Sequence, residues 1–156
     1  MAVVAEYIIT DYADIYKTIN ARKKTDDFEY NRMLFLETLP YVDYYDQRYY
    51  PTIKPLDFVS VPKESIDYLS NAKGIYVLYD CNGECLYVGQ STNLAVRLYQ
   101  HINGMTNTSS IYEMIDDIKV ALCYDDFLRE IYETVTINEL RPCENREKVF
   151  YKRTEV

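Results

Sequence analysis

The sequence predicts an α/β fold, a small, mainly antiparallel three-stranded sheet flanked by helices and preceded by an N-terminal elaboration over residues 1–73. Three observations lead there. Two β-rich runs, Ile75–Tyr79 and Leu86–Val88, flank Asn82-Gly83, the strongest short-range hairpin signal. A third β-rich run covers Ile118–Cys123. Each β-rich unit is followed by a stretch with helix-capping residues at its start and a stop at its end. With 156 residues the chain can build one compact domain with an elaboration, but not two full cores.

Taken in order, a strand is expected near Val3–Ile9, then helices near Tyr12–Ile19 and Phe28–Leu39. Between residues 40 and 73 lie Pro40, Pro51, Pro55 and Pro62, a density that excludes a long helix and predicts turns and edge strands. From Gly74 the pattern sharpens. The hairpin is followed by Ser91-Thr92-Asn93, which can cap a helix over Leu94–Asn103, with Gly104 as its stop. After the third strand, Asp125 or Asp126 can cap a helix running to Leu140, ended by Pro142. Residues 74–156 thus read as the functional domain.

Composition narrows the function classes. Hydrophobic residues make up 48% and charged residues 27%, as in ordinary globular proteins, and nine Gly and Pro together exclude a fibrous or disordered chain. No apolar run approaches the ~20 residues needed to cross a bilayer. Met1–Glu6 lacks the basic flank and apolar core of a signal peptide, so a cytoplasmic location and no membrane partner are expected. A net charge of −8 argues against coating nucleic acid by electrostatics alone. The local basic stretches are Arg22-Lys23-Lys24 and the set Lys148, Lys152 and Arg153. Tyrosine is over-used, with eighteen residues, and the run Tyr41–Tyr50 suits a protein contact or self-association.

The hairpin register brings reactive groups together. With Asn82-Gly83 as a two-residue type I′ turn, Cys81 faces Glu84, Leu78 opposes Tyr87 and Tyr76 opposes Gly89. Tyr76 and Tyr87 are then diagonal neighbours on one face, roughly 7–8 Å apart at Cα. Gly89 leaves a gap beside Tyr76 in which a ligand could sit. In the next helix Arg97 and His101, the sole histidine, share a face at four-residue spacing. Two phenols, a guanidinium and an imidazole suit phosphate chemistry: Arg clamps two oxygens, while Tyr and His move protons. Cys81, Cys85, Cys123 and Cys143 with His101 are residue types that bind zinc, but this register puts Cys81 and Cys85 on opposite faces.

These residues form an ordered set. Gly74-Ile75-Tyr76, then Tyr87-Val88-Gly89, Asn93-Leu94, Arg97, and a closing stretch from Glu133 to Asn145 through Pro142 resemble the GIY-YIG nuclease superfamily over residues 74–146. The resemblance implies hydrolysis of DNA phosphodiesters with one divalent cation per site, Mg²⁺ or Mn²⁺. It assigns catalytic roles to Tyr76, Tyr87, Arg97, His101, Glu133 and Asn145, with Glu133 as the metal's carboxylate. Glu130 lies near the same helix face, and the twelve-residue spacing to Asn145 selects Glu133. Of the two tyrosines, Tyr76 is preferred as the base toward water. Gly89, Lys148, Lys152 and Arg153 are the expected DNA contacts. Two departures stand out: Val88 replaces Ile, and Gln90 stands where such domains often carry Lys. The alternative is a catalytically weak module of the same shape that binds nucleic acid or protein within a larger complex, which the acidic balance favours.

Overall fold

Strand β3 organises the molecule. The computed structural model describes residues 27–42, 56–106 and 108–152, and the chain divides into two compact units, Met1–Leu39 and Pro40–Val156. In the first unit, helix α1 (Phe28–Glu37) begins where the Asp27 carboxylate accepts from the Tyr30 amide at 3.0 Å. The expected strand Val3–Ile9 and helix Tyr12–Ile19 lie outside the described residues, as do Arg22-Lys23-Lys24 and residues 43–50 of the tyrosine run.

The second unit carries the sheet: β1 (Tyr41–Val42), β2 (Val59–Ser60), β3 (Gly74–Tyr79), β4 (Cys85–Ser91) and β5 (Asp117–Cys123). Strand β3 lies between β4 and β5, antiparallel to both. The expected three-stranded core is present, and it is larger than expected. Strand β1 pairs parallel to β5 and β2 pairs antiparallel to it. Two-residue strands are too short to show a period-2 pattern, so the Pro-dense segment discloses them only as edge pieces. A 3-10 helix at Lys63–Leu69 also escaped the sequence reading; it follows Pro62 and packs against helix α2 (Leu94–Ile102).

Alternation along β3 divides the core. Ile75 and Val77 join Val42, Val88 and Cys123 in a cluster closed by Leu128, Tyr132 and Ile137 of helix α3 (Asp126–Leu140). Each fully buried aliphatic side chain contributes about 1.5–3 kcal/mol. Tyr76 points to the opposite face, toward α2, whose Leu94, Leu98 and His101 form a buried stripe at helical spacing. Gly74 is required by close approach: a Cβ there would lie 2.3 Å from the Ala121 carbonyl oxygen of β5. Asn93 caps α2 through the Val96 amide, and Asp125 caps α3 through the Leu128 amide at 2.8 Å.

The hairpin turn differs from the expectation. Its connection has three residues, Cys81-Asn82-Gly83, and of these only Gly83 has positive φ, at 79°. The Gly83 amide donates to the Asp80 carbonyl, and Asp80, not Cys81, faces Glu84. The cause is the Asp80 carboxylate, which accepts from the amides of Asn82 and Glu84 at 2.8 and 2.9 Å and stabilises this turn over type I′. A one-residue irregularity between Leu78 and Tyr79 then restores the expected pairings of Leu78 with Tyr87 and Tyr76 with Gly89. The outer edge of β4 is covered as well: the Cys143 and Glu144 amides donate to the carbonyls of Cys85 and Leu86.

Candidate functional site

Four consecutive residues of β4, Tyr87 to Gln90, form one wall of a cavity of about 380 Å³. Tyr76, Arg97, Glu133, Asn145 and Lys148 also line it. The β4 edge makes this convergence possible, because residues from β3, α2, α3 and the segment after α3 all reach it.

Tyr76 is buried, and its hydroxyl lies 2.6 Å from His101 Nε2 and accepts from Arg97 Nε at 3.4 Å. Guanidinium only donates, so the phenol oxygen is the acceptor toward Arg97, and the same hydroxyl pairs with His101 Nε2. The other imidazole nitrogen, Nδ1, is hydrogen-bonded to Thr108 Oγ1 at 2.8 Å, with Thr106 Oγ1 at 3.0 Å. The chain runs Arg97 to Tyr76 to His101 to threonine. Burial, with the Arg97 charge nearby, pushes His101 down to about 4, so the imidazole is neutral at pH 7.

Gly89 admits this arrangement, in a way the sequence did not indicate. A Cβ at Gly89 would lie 2.3 Å from the Tyr76 hydroxyl oxygen. The expected gap is filled by the Tyr76 ring itself. Burial, with Tyr87 adding to it, raises the Tyr76 phenol well above its usual range, so an ionised Tyr76 is strongly disfavoured. That counts against Tyr76 as a free-standing base. Tyr87 is half-buried at the cavity wall, its ring 6.2 Å from that of Tyr76 and 5.1 Å from that of His101. Burial opposes the Arg97 charge, but the phenol oxygens of Tyr76 and Tyr87 outweigh it and keep the guanidinium firmly protonated.

Glu133 is nearly buried on α3 and is ion-paired with Lys148 Nζ at 2.6 Å. Burial raises its carboxyl and Lys148 works against that shift. Lys148 also bonds to Glu130. Gln90 is tied up too, accepting from Arg129 Nε at 2.8 Å and donating to Glu130 at 2.5 Å. Asn145 is a backbone clamp: its side chain accepts from the Val88 amide and donates to the Val88 carbonyl, both at 2.9 Å.

The structure therefore gathers Tyr76, Tyr87, Gly89, Arg97, Glu133, Asn145 and Lys148 around one cavity, with His101 behind Tyr76. Lys152 is exposed and outside the lining, and Arg153 lies outside the described residues. Sequence reasoning missed Thr106 and Thr108, which reach His101 by a loop that carries no periodic signal, and the Lys148 ion pairs, which depend on how the chain returns after α3. The four cysteines are free thiols. No described helix is long and apolar enough to cross a membrane.

The span that carries this cavity resembles known proteins. Residues 72–148 match the GIY-YIG catalytic domain. The chain is 33% identical over 109 residues to the uncharacterized protein YurQ of Bacillus subtilis, covering 65% of this chain and 81% of that protein. It is 31% identical over 82 residues to UvrABC system protein C of Chromohalobacter salexigens, covering 51% of this chain but 14% of that much longer protein. The magnesium-bound GIY-YIG N-terminal endonuclease domain of UvrC from Thermotoga maritima superposes with a TM-score of 0.48 at 24% identity, over 54% of this chain and 94% of that domain. From the match over residues 72–148 and the YurQ relationship, the chain belongs to the GIY-YIG family.

Proposed function

We propose that this chain is a divalent-cation-dependent endonuclease that hydrolyses DNA phosphodiester bonds, with its active site in residues 74–156 and residues 1–73 as an elaboration. One observation carries the proposal: Tyr87, Arg97, Glu133 and Asn145 line a single cavity inside the span that matches the family. A hard cation fits the donor set, because a Glu133 carboxylate oxygen faces the cavity and already holds a side-chain ammonium. Mg²⁺ or Mn²⁺ held by Glu133 would neutralise charge on the phosphate and on the leaving oxygen.

The chain's own groups do the rest. Arg97, locked in its charged form, binds the phosphate oxygens and strengthens that contact as negative charge develops. Tyr87, at the open wall, orients the attacking water. Tyr76 holds the Arg97 guanidinium and is itself hydrogen-bonded to His101. Asn145 fixes the Val88 backbone between Tyr87 and Gly89 and so sets where both stand.

The test is cleavage of supercoiled plasmid with Mg²⁺ or Mn²⁺. Glu133→Gln abolishes nicking and leaves the melting temperature close to wild type. Arg97→Ala lowers the single-turnover rate by about 10²-fold or more, the loss seen on deleting one transition-state donor. A chain that binds DNA but cleaves with neither metal belongs to the alternative class, a binding module acting inside a larger complex. The net charge of −8 is the observation that favours that alternative.

A further inference from the structure

The cavity contains a cation of its own. Lys148 Nζ donates to Glu133 Oε1 at 2.6 Å and to Glu130 Oε2, so it sits between two carboxylates of α3. This placement is built into the backbone. Lys148 has φ 61°, in the left-handed region that a side-chain-bearing residue rarely adopts and that persists only where its surroundings over-determine it. The surroundings here are Asn138, whose amide nitrogen donates to the Lys148 carbonyl at 2.9 Å while its oxygen accepts from the Phe150 amide at 2.8 Å. Asn138 belongs to α3, the helix that also carries Glu130 and Glu133. One helix therefore holds the lysine backbone and both of its acceptors.

An ammonium and a divalent cation cannot both occupy that carboxylate oxygen, since like charges a few ångströms apart in a half-buried site repel strongly. The Glu133 end is well shielded from water, with 11% of the side chain exposed, so solvent screens this competition little. We propose that Lys148 is an internal competitor for the metal carboxylate, occupying Glu133 in the free chain and leaving it when a divalent cation binds. Metal affinity in the absence of substrate is thereby held down, and the released ammonium remains within the cavity that takes the phosphate. This inference rests on the reading of Glu133 as the metal's carboxylate.

Mn²⁺ binding to the full chain without DNA, followed by electron paramagnetic resonance of the free ion, separates the two. Lys148→Met, which keeps the stem and removes the charge, is expected to bind Mn²⁺ roughly tenfold more tightly than wild type, the scale set by loss of one competing ion pair. Lys148→Arg keeps the charge and is expected to retain the lower, wild-type-like affinity. Should Lys148→Met not fold, Lys148→Gln serves for the same comparison. Unchanged or weaker Mn²⁺ binding in the neutral variant, with binding still lost in Glu133→Gln, overturns the competition while leaving Glu133 as the ligand. Undiminished binding in Glu133→Gln overturns the reading beneath it.

Discussion

Tyr76 and Tyr87 look alike in the sequence and are in unlike states in the structure. Tyr76 is 1% exposed and its hydroxyl is hydrogen-bonded to His101, whereas Tyr87 stands half-buried at the cavity wall. Tyr87→Phe is therefore expected to depress single-turnover cleavage across the pH range. Tyr76→Phe acts through the placement of Arg97 and His101, and its loss shows chiefly in weaker phosphate binding. A larger chemical defect for Tyr76→Phe at saturating DNA reverses the assignment. His101 offers a direct check because it is the sole histidine. Its ring resonances should report an unprotonated imidazole down to about pH 4. The unfolded imidazole takes up a proton near 6.5 and the folded one only near 4, so its contribution to stability is complete above pH 6.5. It is lost as pH falls through that window, by up to about 3 kcal/mol. Glu133, raised by burial, acts in the opposite sense, so the His101→Gln variant is the proper reference for chemical denaturation at pH 7 and pH 5. A histidine titrating near 6.5 would remove the buried hydrogen-bond chain.

At the level of elements, strand β4 carries the site because both of its borders are controlled. On one side it pairs with β3, and on the other the segment after α3 bonds to Cys85 and Leu86 and clamps Val88 through Asn145. Gly89 is where this packing is tightest. Gly89→Ala puts a methyl 2.3 Å from the Tyr76 hydroxyl, and backbone on both sides prevents the strand from yielding. The ring must swing away, breaking the bond to His101. The expected outcome is an intact β-sheet spectrum, a His101 resonance shifted toward ordinary titration, and cleavage lowered at least about tenfold; overpacking of this kind costs about 1–3 kcal/mol. Wild-type titration of His101 in that variant would show that the ring has other room. The hairpin turn illustrates how local chemistry can be misread without harm to the site. The turn type follows the Asp80 carboxylate rather than the Asn-Gly pair, yet the strand irregularity returns the pairing of Tyr76 and Tyr87 to the one the alternation predicted.

For the whole molecule, charge sets the terms of the proposed DNA binding. A net charge of −8 leaves few cations to meet phosphates, and among the described residues near the cavity these are Arg97, Arg146 and Lys148. About three neutralised phosphates correspond to a slope of roughly −3 in log affinity against log salt. Weak binding with a slope near that value is expected from fluorescence anisotropy on a short duplex. A slope twice as steep would place DNA on further cations, with Lys152, Arg153 and Arg22-Lys23-Lys24 the first to neutralise. Self-association through residues 41–50 remains a proposal for the tyrosine run. Within it, Tyr41 is exposed on β1 and its ring lies 5.6 Å from that of Tyr124.

The sequence by itself determined the three central strands, both capped helices and the pairing of Tyr76 with Gly89. These depend on alternation, helical spacing and capping, which act over a few residues and leave a local trace. Glu133 and Asn145 are picked out by the resemblance of the closing stretch to the GIY-YIG superfamily, not by a local pattern. Tertiary structure alone decided how those residues are used. Whether Gly89 opens a pocket or seats a ring depends on the Tyr76 side chain packed across the strand pair. Whether His101 is charged depends on its burial against the rings of Tyr76 and Tyr87 and on the Arg97 charge nearby. Whether Glu133 is free depends on Lys148, fifteen residues away and brought back by a left-handed backbone turn that no local pattern announces. Burial, proton position and ion pairing are properties of neighbours, and these neighbours are far apart along the chain.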